Sequence, residues 1–338
     1  MSTIVTEQTP AGAMPSPAPA PAPKPAKAPD FRYMALRNFA ISITAFNIFG
    51  YTLLGFEQPW LWPFIVVPFG YATEMIMEVV SAWAQRRPQR FRGNGARGLY
   101  EFLLPAHITS LTVNMILYAN NQLWPVLFAI FVGVAGKHAL QAPINGRMRH
   151  YMNPSNSGIG LTLILFSNFV SLAPPYEFTE KANTFFRIMI VIIIITSGTV
   201  INAMLTQRVL LIAGYMGGFM IQAFVRHWIW HVSLFGALGV MTGVTFVLIV
   251  NYMITDPGTT PSKPLMQFIF GSAVSTAYGA LMEFNVVYDL IFSILIVCFI
   301  RGMYWWGKHF AAKRSSAGAP ALNGSKPALG TTNGTVAI

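Results

Sequence analysis

The chain has 338 residues, of which 54% are apolar and only 10% charged, and its mean hydropathy is +0.51. A soluble domain carries roughly a quarter charged residues, so this chain has too few charges to cover a globule, which excludes a soluble enzyme. The net charge of +11 does not point to nucleic acid, because Arg and Lys cluster at the ends of apolar runs rather than along one amphipathic face. The only cysteine, Cys298, lies inside an apolar run, so no disulfide framework, CxxC pair or iron–sulfur ligand set can be built from this chain alone.

In chain order, residues 1–30 are rich in Pro and Ala, with the run PAPAPKPAKAP, which favours polyproline II and has almost nothing to bury; the expectation is a disordered cytoplasmic tail. Residues 31–310 read as the transmembrane domain, and 311–338, rich in Ala, Gly, Ser and Asn, as a second disordered cytoplasmic tail. Ten apolar segments lie between the tails, at 35–55, 60–83, 99–119, 123–139, 157–173, 184–205, 208–225, 233–254, 265–282 and 286–306. Most approach the roughly 20 residues that cross a hydrocarbon core. The run Ile188 to Ile195 is apolar without alternation, which favours helices over a barrel. An all-α polytopic membrane protein is therefore expected. With ten spans, all but Lys181, Arg187 and Arg226 of the 22 Lys and Arg residues fall on one side. The positive-inside rule makes that side the cytoplasm and places both termini there, as in a bacterial cytoplasmic membrane.

Several polar residues fall where lipid would penalise them. Glu74 and Glu78 are four apart in the second span, hence on one helical face, and read either as functional carboxylates or as ordinary ion pairs with the arginines that follow. Glu101 opens the third span and His107 follows in EFLLPAHITSLTVN, where Pro105 suggests a broken helix. His107 reads as a proton relay, a haem ligand or a hydrogen-bonded core histidine. Lys137, in GKHAL, completes the candidate ion or proton relay with Glu74, Glu78, Glu101 and His107. His227 and His231, in RHWIWH, have the spacing of a two-histidine metal or haem site, but no third ligand is near, and an interfacial loop is the plainer reading. No metal site is expected.

Two cytoplasmic turns are more specific. KHALQAPINGRMRHYMNPSNSG follows the fourth span and NYMITDPGTTPSKP the eighth. In each, a polar residue precedes proline, and hydroxyls, amides and glycine follow. Asn153, Pro154, Ser155 and Asn156, with Asp256, Pro257, Thr259 and Thr260, could contact a phosphate, a flavin edge or an ion, or could simply cap helices. Nowhere does the chain carry a nucleophile elbow, a P-loop or a GxGxxG after a strand.

NYMITDPGTTP resembles the TDPVT-type turn of the RnfD/NqrB family, membrane subunits of the ion-translocating Rnf and Na⁺-NQR electron-transport complexes. Glu74 and Glu78 before a basic loop, HITSLTVN, GKHAL and YMNPSNSGIGLTLILF resemble pieces of that family's second to fifth spans, in the same chain order. The turns are most similar to the branch of enediyne-biosynthesis membrane proteins (UnbU-like). The resemblance covers about residues 35–306. It implies two inverted five-helix repeats, about 35–173 and 184–306, in a urea-channel-like architecture whose third spans are broken near the centre.

The family's electron-transport members carry FMN on a threonine of an SGAT-like motif inserted between the fifth and sixth spans. That insertion is missing here, and the SGT string Ser197 to Thr199 lies inside the sixth span. Covalent FMN is therefore not expected, while a noncovalent flavin at a central site is compatible with the resemblance. The implied function is redox-linked electron or ion transport with a partner membrane, peripheral redox or biosynthetic protein. A channel or carrier for a small solute or ion, and a membrane scaffold for a biosynthetic pathway, are the competing readings.

Overall fold

A computed structural model describes residues 31–93, 95–174 and 178–317. The chain divides into Met1–Asp30 and Phe31–Ile338, and all described residues belong to the second unit. The expected tail 1–30 lies outside them.

Helices dominate. In chain order they are α1 (Phe31–Phe49), prolonged by a π turn over Gly50–Leu54, α2 (Trp62–Ala84), α3 (Gly95–Ile116), α4 (Leu123–Ala139), α5 (Pro154–Leu165), α6 (Thr184–Ile201), with a π turn over Asn202–Thr206, and α7 (Val209–Trp230). They continue with α8 (Leu234–Gly239), α9 (Val244–Leu248), which runs into a π turn over Ile249–Met253, α10 (Pro264–Glu283) and α11 (Asp289–Ala317). Two short hairpins complete the fold: β1 (Leu117–Tyr118) pairs antiparallel with β4 (Ser171–Leu172), and β2 (Gln141–Ile144) with β3 (Arg147–His150).

Each predicted apolar segment contains a helix, but segments and spans are not the same thing. Five helical stretches are long and apolar enough to cross a membrane: Trp62–Ala84, Thr184–Thr206, Val209–Trp230, Pro264–Glu283 and Asp289–Arg314. A sixth is added if Leu234–Thr242 and Val244–Met253, bent by 62° at their junction, count as one. The other segments fall short for local reasons. Helix α5 has only 12 residues, giving way before Ser171 to the β4 strand, and α3 carries Thr109, Ser110, Thr112 and Asn114 in its second half.

Two boundaries differ from expectation. Helix α11 runs on to Ala317, past the expected start of the C-terminal tail at 311, whereas 318–338 lie outside the described residues. Pro105 does not break its helix, since α3 is continuous from Gly95 to Ile116. The proline ring removes the bond to the Glu101 carbonyl, and packing against α1, α2, α4 and α5 keeps the helix continuous. The second half does contain a break, at Gly243 between α8 and α9, where ψ is 138°.

The outer surface is apolar as well as the core. Phe64, Ile221 and Phe268 are exposed, while Glu78, Asn114 and Asn202 are buried completely. Large apolar side chains pointing outward from helices of this length, with charges and amides between them, make this an integral membrane protein.

Candidate functional site

The polar groups buried among the helices form three clusters. The first joins α2 to α4. Glu74 is buried against Lys137, whose Nζ donates to Oε1 at 2.5 Å, and His138 Nε2 lies 3.5 Å from the same oxygen. The second oxygen, Oε2, has no hydrogen-bond partner among the described residues. One turn further along α2, Glu78 is gripped by Arg87 through both oxygens, at 2.5 and 3.1 Å, and accepts from the Arg90 backbone N–H at 2.9 Å. That grip in turn raises the Arg87 guanidinium above its ordinary pKa. The two carboxylates do share a face, and each has its own cation. Glu101 is elsewhere, in an exposed pair with Arg97 four residues away at 2.8 Å, of the kind that contributes little.

The second cluster is centred on His107, between α1 and α2. Thr44 Oγ1 donates to the Ala40 carbonyl at 2.7 Å, so at 2.8 Å it accepts from His107 Nε2–H. That assigns the tautomer: Nδ1 is the acceptor and takes the Tyr71 hydroxyl proton at 2.8 Å. The imidazole thus ties α3 to α1 and α2. His107→Phe leaves the half-buried Tyr71 hydroxyl without its acceptor and Thr44 Oγ1 without its donor and is expected to cost about 1 kcal/mol. Unfolding titrations in mixed micelles measure this, and unchanged stability would show that the clasp contributes nothing.

The third cluster brings together the two turns singled out in the sequence. Asn153 caps α5, its Oδ1 accepting from the Asn156 N–H and from Ser155 Oγ, both at 3.0 Å. Its Nδ2 reaches across to the Met253 carbonyl at 3.0 Å. Asn156 Nδ2 donates to the Ile291 carbonyl at 3.1 Å, while its Oδ1 is buried with no hydrogen-bond partner among the described residues. Asp256 accepts from the Gly258 N–H at 2.9 Å and from Thr259 Oγ1 at 3.2 Å, and its own carbonyl accepts from Thr260 Oγ1 at 2.6 Å. Arg301 of α11 donates to the Thr259 carbonyl at 2.6 Å. His150, at the end of β3, sits 4.0 Å from Asp256. Burial pushes its pKa below the usual histidine value, and the carboxylate opposes that only in part. Pro154 and Pro257 shape the two turns. Most polar atoms here are turned onto the protein itself, so capping accounts for much of the geometry. Among the described residues the exceptions are Asn156 Oδ1, Asn251 Oδ1 and Nε of Arg208, whose charge interacts with Asp256.

No protein-family model matches the chain, and no curated protein does.

Some of the buried polar network escaped sequence reasoning. Asn114 Nδ2 donates to Asn47 Oδ1 at 3.1 Å and to Tyr51 at 3.0 Å, linking α3 to α1. Asn202 Nδ2 donates to the Asn251 carbonyl at 2.8 Å, linking the π turns after α6 and α9. Arg226 of α7 is paired with Glu283 of α10. The available signal was a lone amide in an apolar run, which in lipid usually marks a helix contact. His227 and His231 do not share a helical face. The helix ends at Trp230, His231 has φ of +54°, and His227 Nδ1 bonds the Val232 carbonyl at 2.8 Å. Among the described residues no three His, Cys, Asp or Glu side chains are grouped so as to hold a metal ion. Between α1, α3, α6 and α9, Phe46, Met115, Ile194 and Leu248 line a void of about 10 Å³ with apolar walls, barely the room one water needs.

Proposed function

We propose that the chain crosses a bacterial cytoplasmic membrane ten times with both termini inside, as two inverted five-helix repeats. In this reading it works as an RnfD/NqrB-type subunit, moving electrons or ions together with a partner protein and without covalent FMN. The observation that carries the reading is the meeting of the two turns that resemble the family's. A hundred residues apart, they are joined by Asn153 on Met253 beside Arg301 on Thr259.

Matched contacts support the repeat. The second and fourth helices of each half share a buried ion pair, Glu74 with Lys137 and Arg226 with Glu283. First and third helices share an asparagine contact, Asn47 with Asn114 and Asn202 with Asn251. Both first helices end in a π turn capped by a left-handed residue, Gly55 or Gln207. The absence of covalent flavin is supported by Ser197, which bonds the carbonyls of Ile193 and Ile194 in its own helix. Thr199 is exposed on that apolar helix, where a flavin phosphate would meet lipid. The closely packed apolar centre gives the channel reading less support.

The test is the visible absorbance and fluorescence of the full chain purified in mild detergent. The expected result is flavin that is released on denaturation, and Asp256→Asn and Asn153→Ala are expected to lose most of it while remaining monodisperse. A colourless protein that carries solute into liposomes would instead establish the channel reading. Flavin retained in full by both variants would make the turns helix caps and no more.

A further inference from the structure

Helix α2 ends in a turn whose geometry normally selects glycine. The Arg87 N–H donates to the Ala82 carbonyl at 3.0 Å and the Arg86 N–H to the Trp83 carbonyl at 3.2 Å, the two bonds of a Schellman cap. Arg86 occupies the left-handed position, with φ of +49°, which an L side chain adopts only against steric resistance. Glycine would sit there without strain, and Gln207, His231 and Asn285 also take positive φ, so the conformation by itself gives the Arg86 cation no role.

The surroundings supply one. A surface cleft of about 720 Å³ opens here. Val79, Trp83 and Ala84 form its apolar wall, and Arg86, Arg87 and Gln89 its polar rim. Trp83 is 81% exposed at the end of a helix long and apolar enough to span a bilayer, which is where indole rings meet lipid headgroups. The charge on Arg87 is met by Glu78, and Arg90 also lies against that carboxylate, at 3.8 Å. The Arg86 guanidinium has no hydrogen bond or ion pair among the described residues, and its side chain is exposed. The cleft therefore joins an unneutralised guanidinium to an apolar wall at the membrane–water boundary. An acyl chain with a phosphate diester at its head has the same two-part chemistry, and a guanidinium takes phosphate oxygens through two parallel N–H bonds.

We propose that this cleft is a binding site for an anionic phospholipid, with the phosphate on Arg86 and the upper acyl chain along Val79 and Trp83. The inference does not depend on the transport reading above, because it uses only the end of α2 and the loop after it. A zwitterionic lipid fits less well, since its quaternary amine would be repelled by the Arg86 guanidinium.

The full chain is reconstituted in nanodiscs of phosphatidylcholine with and without phosphatidylglycerol, and melting temperature and co-purified lipid are measured. In the wild type, phosphatidylglycerol raises the melting temperature. Arg86→Gly is expected to melt no lower than wild type in pure phosphatidylcholine, because glycine relieves the left-handed strain. It should nevertheless lose most of the phosphatidylglycerol-dependent rise and retain the anionic lipid about tenfold less tightly, the scale of one charge-assisted contact. Arg92→Gln, in the same loop but outside the cleft, should keep the rise. The proposal is overturned if wild type shows no rise, if Arg86→Gly keeps it in full, or if Arg92→Gln loses as much, which would mean diffuse surface charge. It also fails if inorganic phosphate added to phosphatidylcholine discs reproduces the rise, since the site would then take a soluble anion.

Discussion

Lys137→Met is expected to lower the stability of the folded protein by about 3–5 kcal/mol, the usual cost of leaving one member of a buried ion pair behind. The partner is Glu74, whose side chain is only 3% exposed and whose second oxygen already lacks a hydrogen-bond donor. His138, at 3.5 Å, is too far to replace a 2.5 Å ammonium contact. The double variant Lys137→Met with Glu74→Met should recover most of the loss, because it removes the stranded carboxylate and fills the space with apolar atoms. Reversible unfolding in mixed micelles, with a full mutant cycle, measures both quantities. Equal losses for the single and double variants would mean that the pair is packing alone, with no electrostatic role.

Gly271→Leu should cost about 3 kcal/mol or more, with loss of monodisperse protein. Helices α7 and α10 form the most extensive helix pair of the fold, and they approach through small residues. A Cβ on Gly271 would lie 2.2 Å from the Leu211 carbonyl oxygen and 2.6 Å from the Tyr215 nitrogen; one on Gly214 would lie 2.2 Å from the Phe268 carbonyl oxygen. These obstacles are backbone atoms, so no rotamer change relieves them and the helices must separate. Separation would also break the bond from Ser272 Oγ to the Gly214 carbonyl, now 3.1 Å. Gly217 is the control on the same helix, since a Cβ there meets nothing within 4 Å. Gly217→Ala is expected to leave fluorescence-detected size-exclusion profiles unchanged. A normal profile for Gly271→Leu would disprove the close-packed seam.

The resemblance to the RnfD/NqrB family singled out the two turns without saying what they contact. Asn153 and Asp256 were legible as turn residues because capping is local: an oxygen two or three residues from a free N–H will bond it. That Asn153 also reaches Met253 depends on where two distant segments settle. The same division holds for His107. Its place in an apolar segment was visible, but its partners Thr44 and Tyr71 lie 63 and 36 residues away.

The amino-acid sequence by itself determined the solvent and the helices. Apolarity, run length and the positions of Arg and Lys act on each segment separately, and every predicted apolar segment contains a helix. Only the structure decided where each helix stops, that α3 continues through Pro105, and which cation meets which carboxylate. The reason is physical. In lipid, burying an apolar side chain between helices gains little over leaving it against acyl chains, so packing follows small residues and buried polar pairs, and those pairs join residues far apart in the chain.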